Sequence, residues 1–110
     1  MKIESLVQHG YEIFRVQQES DDDTDFSSVE ARVAQSLDDG SRKIAISLSI
    51  NAYPYSKLIS VLVRCNKLAE DHGGTLAVVQ PNTDFLDIIK RTKLDQVFTV
   101  VPAEADLAVA

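Results

Sequence analysis

The residues best suited to chemistry in this 110-residue sequence stand in the stretch AYPYSKLI, residues 52–59. Ser56 falls where a dense apolar run gives way to an amphipathic helical pattern, so it is predicted to open a helix. A helix start presents unpaired N–H groups and a partial positive charge, which together accommodate a phosphate. A phosphate on Ser56 adds close to two negative charges to a docking surface, and Lys57 neutralises part of them. The same serine also suits the plainer role of helix cap, which by itself contributes about 1 kcal/mol. Phosphorylation candidate and simple cap are both open at this residue. Tyr53 and Tyr55 are of the type that anchors a partner at an interface centre; alternatively, one of them fills space beside the end of the sheet.

A second group is Asp21-Asp22-Asp23-Thr24-Asp25. The alternation Asp21, Asp23, Asp25 repeats the start of a calcium loop, but that loop needs glycine at its sixth position and glutamate at its twelfth. Here those positions hold Phe26 and Arg32. The segment therefore reads as a solvated acidic loop before a helix, with Asp21, Asp22 and Asp23 as a candidate docking rim, and no metal is expected. Cys65 lies on an apolar helical stripe and reads as a small core residue rather than a reactive thiol. His9 reads as a turn residue and His72 as a helix-end residue. Nothing pairs either histidine with Ser56 or Cys65 as base and nucleophile, and no phosphate-binding glycine loop is present. These signs argue against an enzyme and imply no cofactor.

The elements that must position these residues are legible from periodicity. Ile3 to Gln8 and Tyr11 to Gln17 form two strands joined at His9-Gly10. Phe26, Val29, Val33 and Leu37 recur at helical spacing, capped by Thr24 or Asp25 and ended by Asp38-Asp39-Gly40. Lys43 to Ile50 alternates large apolar with small residues, as a buried strand does. Leu58, Leu62, Cys65 and Ala69, broadened by Val61 and Leu68, mark a helix from Ser56 to His72, with His72-Gly73-Gly74 as its stop. Thr75 to Gln80 is a short strand. Pro81-Asn82 introduces a third helix burying Phe85, Leu86, Ile88 and Ile89. Val97 to Val101 is the last strand, and Pro102 opens a short final helix. The order β-β-α-β-α-β-α-β-α predicts an α/β fold: a mixed, mostly parallel sheet with an N-terminal edge hairpin strand and about four helices.

Composition sets the bounds. A chain of this length fits one domain, 1–110, and buries about 65% of its unfolded surface. Apolar content of 45% and charged content of 25% are ordinary for a globular chain. No apolar run reaches the roughly 18 residues of a membrane span, and the start, MKIESLVQHG, lacks the pattern of a secretory signal. A single cysteine fits a reducing cytoplasm. Eleven basic against seventeen acidic residues give a net charge of −6, which disfavours nucleic acid and makes a basic protein face the easier partner.

Taken in order, RKIAISLSI, SKLISVLVRCNKLAEDHGGTLAVVQP and NTDFLDIIKRTKLDQVFTVVPAEADLAVA resemble the STAS domain of anti-sigma-factor antagonists. The resemblance covers nearly the whole chain. It implies a cytoplasmic bacterial signalling module without enzymatic activity, docking a serine-kinase-like anti-sigma factor in transcription regulation, with Ser56 at the family's phosphorylated position. The same resemblance implies an alternative, a constitutive STAS adaptor subunit of a transporter ATPase or signalling complex. It further places the docking surface on the Asp21 to Asp23 loop, Tyr53 to Lys57 and the exposed face of the second helix. The sequence departs from the family at informative positions. The Asp-Ser-Ser-Gly-Leu-Gly segment stands here as Tyr55-Ser56-Lys57-Leu58-Ile59-Ser60, and the glycine in the turn after the third helix is Lys93.

Overall fold

The computed structural model describes residues 3–16, 26–48, 56–80 and 82–109, apart from the side chains of Ser56, Lys57 and Val109. The chain opens with an antiparallel hairpin, β1 (Ile3–Gln8) and β2 (Tyr11–Val16), closed by the pair Gln8 and Tyr11. Its two-residue link places His9 at φ 55° and Gly10 at φ 80°. Two consecutive left-handed residues are the turn whose twist matches that of the flanking strands, which is why the short link suffices.

Four further segments alternate: α1 (Ser27–Asp38), β3 (Lys43–Leu48), α2 (Ser56–Asp71) and β4 (Thr75–Val79). They are followed by α3 (Thr83–Arg91), a 3-10 turn (Leu94–Gln96), β5 (Thr99–Val101) and a terminal 3-10 helix (Glu104–Val109). The five strands lie in sequence order, β1-β2-β3-β4-β5, with β2 to β5 all parallel. Every helical crossover steps one strand in the same direction, so a common right hand puts α1, α2 and α3 on one face. Register agrees: Phe14, Ile46 and Val78 align across the strands, and these residues share one core with Val33 of α1, Leu62 of α2 and Phe85 of α3.

The other face of the sheet is thinner. Ile13, Ala45 and Ala77 align there and form a smaller core with Tyr11, Val79, Val101 and Leu107 of the terminal 3-10 helix. That helix is fastened by a two-pronged pair: Arg15 Nε donates to Glu104 Oε2 at 2.9 Å and Arg15 Nη2 to Glu104 Oε1 at 2.7 Å. The alternation of large and small residues predicted for Lys43 to Ile50 is therefore a division of labour. Ile44, Ile46 and Leu48 meet the helices, while Ala45 lets the C-terminal segment lie close.

Several boundaries differ from the sequence reading. There are three α-helices among the described residues, and the expected fourth is 3-10 throughout. The α1 helix begins at Ser27, after the caps expected at Thr24 or Asp25, and its N-cap is Phe26, which makes no side-chain capping bond. Burial of the Phe26 ring in the main core sets that entry instead. β5 starts at Thr99 rather than Val97, because the Val97 and Phe98 amides donate back to the Leu94 carbonyl at 2.9 and 3.1 Å. In α3, Phe85 and Ile89 are fully buried one turn apart, while Leu86 and Ile88 flank them half-exposed.

Two junctions are set by backbone geometry. At the end of α2, Gly73 takes φ 74° and the Gly74 amide returns to the Ala69 carbonyl at 2.7 Å, a Schellman stop. The chain then enters β4 against the Arg42 carbonyl, which accepts from Thr75 N at 2.8 Å. A Cβ on Gly74 would lie 2.3 Å from that same carbonyl oxygen, so only glycine fits. After α3, the turn needs a left-handed residue, and Lys93 supplies it at φ 60°. The glycine that the family resemblance places here has a physical reason, and this chain meets the same demand with a strained lysine.

Candidate functional site

Parallel register makes the ends of β2 and β3 neighbours. Val16 and Leu48, the last residues of those strands, are register partners, so both connections leave the same end of the sheet side by side. The first connection carries Asp21, Asp22 and Asp23; the second carries Tyr53 and Tyr55 and ends at Ser56. Asp21 to Asp23, Tyr53 and Tyr55 lie outside the described residues, and Ser56 and Lys57 are described by backbone only.

Ser56 is the first residue of the sixteen-residue helix α2. No acidic residue occupies that first turn, so the positive helix end is not offset within its own turn. Leu58 is 1% exposed and packs in the main core with Val61, Leu62 and Cys65. This burial fixes the angle at which the helix start meets the sheet end. It also locates two departures from the family segment: Leu58 replaces a glycine with core packing, whereas Ser60 is exposed. Further along α2, Val63 and Arg64 are exposed, and Arg64 pairs with Glu30 of α1 at 3.1 Å.

The next strand end was not singled out by sequence reasoning. Gln80, directly after β4, is completely buried; its backbone N–H donates to Val101 O at 2.9 Å, and its side-chain Oε1 accepts from Asn82 N at 2.9 Å. Asn82 Oδ1 in turn accepts from Asp84 N at 2.8 Å and caps α3. The two amides thus build the start of α3 on the same end of the sheet as the start of α2. The signal available was a lone glutamine closing an apolar strand just before Pro81-Asn82.

The remaining chemistry-bearing residues have structural surroundings. Burial, with the Glu30 carboxylate nearby, pushes the Cys65 thiol up to about 12, so no nucleophilic thiolate forms near neutrality. His72 closes α2: its Nδ1 lies 2.8 Å from Leu68 O and its Nε2 3.3 Å from Asp38 Oδ1 of α1. His9 sits in the hairpin turn. Glu12 Oε2 accepts from the Ser36 hydroxyl and, at 2.6 Å, from that of Ser41, tying β2 to the end of α1. The Arg15 hydrogen bond holds the Glu104 carboxyl below its usual range, aided by the Ser47 hydroxyl and opposed by burial. Among the described residues no three His, Cys, Asp or Glu side chains converge as a metal cluster, and no helix is long and apolar enough to cross a membrane.

No protein-family model and no curated protein matches the chain. Solved structures do. The protein TM1081, solved by NMR, is similar over 93% of this chain and 82% of its own, with a TM-score of 0.74 and 21% identity. An anti-sigma-factor antagonist (STAS) domain protein from Planctomyces limnophilus covers 97% of this chain and 95% of its own at a TM-score of 0.69 and 14% identity. The Bacillus cell fate determinant SpoIIAA, in its phosphorylated form, covers 96% of each chain at a TM-score of 0.64 and 12% identity. At such identities the likeness is one of architecture. The chain has the STAS fold: a five-stranded, mostly parallel sheet with its helices on one face.

Proposed function

We propose that this STAS-fold chain is a non-enzymatic, cytoplasmic bacterial module that docks a kinase-like anti-sigma factor, and that phosphorylation of Ser56 opposes the docking. The observation that carries the reading is the position of Ser56: it opens α2 at the end of the sheet where β2, which precedes the acidic segment 17–25 in the chain, also ends. A basic partner face meeting Asp21 to Asp23 is steered by the net charge of −6. Tyr53, Tyr55 and Lys57 complete the docking surface. A phosphate on Ser56 is accommodated by the free N–H groups of the first turn. It adds about two negative charges to the docking surface, and against an acidic group on the partner the complex weakens. Burial of Leu58 supports this reading, since the bulk replacing the family glycine lies in the core rather than on the approach to the serine. Phosphorylation of the SpoIIAA structure, whose architecture this chain shares, points the same way.

A second reading keeps the module and drops the switch. Tyr55 and Lys57 stand where the family segment has an aspartate and a serine, and such a surface suits a constitutive adaptor of a transporter ATPase or signalling complex. One experiment separates them. The chain and its Ser56→Ala variant are incubated with the anti-sigma-factor kinase encoded nearest to it, followed by intact-mass measurement and binding. The switch reading expects one phosphate, absent in the variant, and at least tenfold weaker binding of the phosphorylated form. Tight binding with no phosphate on Ser56 removes the switch, and recovery of a transporter ATPase as the bound partner establishes the adaptor.

A further inference from the structure

The β1 edge of the sheet lacks the devices that normally keep a strand from pairing further. It pairs with β2 on one side, and among the described residues no strand pairs with its other side. Glu4, Ser5, Val7 and Gln8 are exposed, Val7 to 75%. An edge row of N–H and C=O groups is a template for another strand, and proteins blunt it with Lys, Pro or a bulge. Ile3–Gln8 contains no Lys, Arg or Pro, and its register with β2 runs unbroken from Ile3–Val16 to Gln8–Tyr11, without a bulge. Its one charge, Glu4, is paired with Arg15 of the neighbouring strand at 3.5 Å. We propose that β1 pairs antiparallel with β1 of a second copy of this chain, Ser5 opposite Ser5, joining the two sheets into one.

Backbone direction, side-chain face and charge together select that partner and register. The two-residue link makes Gln8–Tyr11 the hydrogen-bonded closing pair, so Gln8, Leu6 and Glu4 turn their backbone groups to β2. Ile3, Ser5 and Val7 therefore turn theirs outward. These three also share the helix-bearing face, since Ile3 packs on the main core and Leu6 on the smaller one. Residues directly opposite in an antiparallel pair share a face, and each hydrogen-bonded pair exchanges both bonds. A two-fold axis through Ser5 sets Ile3 against Val7 of the second copy and Val7 against its Ile3, so every outward residue bonds. A register shifted by two residues leaves one of them out. The apolar pairs cover Val7, which on its own hairpin stands opposite Glu12. On the other face Glu4 meets Leu6, so no like charges are opposed. The net charge of −6 lies mostly in residues 17–25, which hold five acidic residues and no basic one. That segment follows Val16, the partner of Ile3, so the two copies begin theirs from opposite ends of the joined strands. Such an isologous pair closes on itself, and its axis, normal to the sheet, turns the helices of both copies to one side.

The test is sedimentation of the full chain from micromolar to millimolar concentration in about 0.15 M salt, where a Debye length of about 8 Å screens the net charge. A monomer–dimer equilibrium is expected. Amide hydrogen exchange at the two ends of that range locates the contact: Ile3, Ser5 and Val7 slow as the dimer forms, while Glu4, Leu6 and Gln8, bonded to β2 in the monomer, do not change. Val7→Lys sets a charge against Ile3 of the second copy and should weaken the dimer roughly tenfold or more. Ser5→Pro deletes the N–H at the axis, on the side where an edge strand tolerates proline, and should leave a monomer. Unchanged urea midpoints show that the variants fold, and Val7→Lys alone decides the matter if Ser5→Pro does not. A chain that stays monomeric throughout, a dimer that leaves exchange at Ile3, Ser5 and Val7 unchanged, or one that Val7→Lys leaves intact overturns the proposal.

Discussion

Replacing Lys93 by glycine is expected to stabilise the chain. Lys93 is exposed and sits at φ 60°, and its backbone is committed on both sides: its amide donates to Lys90 O at 3.1 Å, and its carbonyl accepts from Gln96 N at 3.2 Å. The turn therefore cannot relax to negative φ without losing both bonds. A residue with a Cβ pays about 1–2 kcal/mol in this conformation. Glycine removes that strain but loses more chain entropy on folding, about 0.5–1 kcal/mol relative to alanine. The difference leaves a net gain of about 0.5–1 kcal/mol, or an increase of roughly 2–5 °C in Tm for a domain of this size. Lys93→Ala is the control, since it removes the same side chain and keeps the Cβ. Urea unfolding of the parent and both variants reads the result. A higher midpoint for Lys93→Gly alone, with an unchanged slope, supports the reasoning. A midpoint equal to or below the parent's, or an equal gain in Lys93→Ala, refutes it.

Gly74→Ala tests a close approach instead of a dihedral: the new Cβ meets the Arg42 carbonyl at 2.3 Å and costs about 3 kcal/mol in urea unfolding. A loss under 1 kcal/mol would mean that the β3–β4 entry shifts freely. The Cys65 thiol, pushed up to about 12, has a thiolate fraction near one in ten thousand at pH 8. A chromogenic disulfide reagent should leave it unmodified in the native chain and react fully in concentrated urea; rapid native labelling contradicts its burial. Glu104 titrates below its ordinary value because Arg15 hydrogen-bonds to it. A lowered folded value gives stability that is present above the unfolded carboxylate range and lost as pH falls through the folded value. The stability gap between the parent and Glu104→Gln should therefore be open at pH 7 and close on acidification, as followed by urea midpoints across that range.

The order of elements was legible in the sequence because each one carries its own period. The Ile44, Ile46, Leu48 alternation and the Leu58, Leu62, Cys65, Ala69 stripe each specify a face, and short turns such as His9-Gly10 need only local backbone chemistry. With every strand joined to the next by a single crossover of fixed hand, those faces left few sheets to choose from. The position of Ser56 at a helix start followed from the same local switch of period. What sequence could not supply were relations between residues far apart in the chain. The Arg15–Glu104 pair spans 89 positions, and nothing local to either residue names the other. The burial of Gln80, whose backbone N–H meets the Val101 carbonyl of β5, is of the same kind. Periodicity says which way a side chain points, and only the packed sheet and helices decide what it meets there.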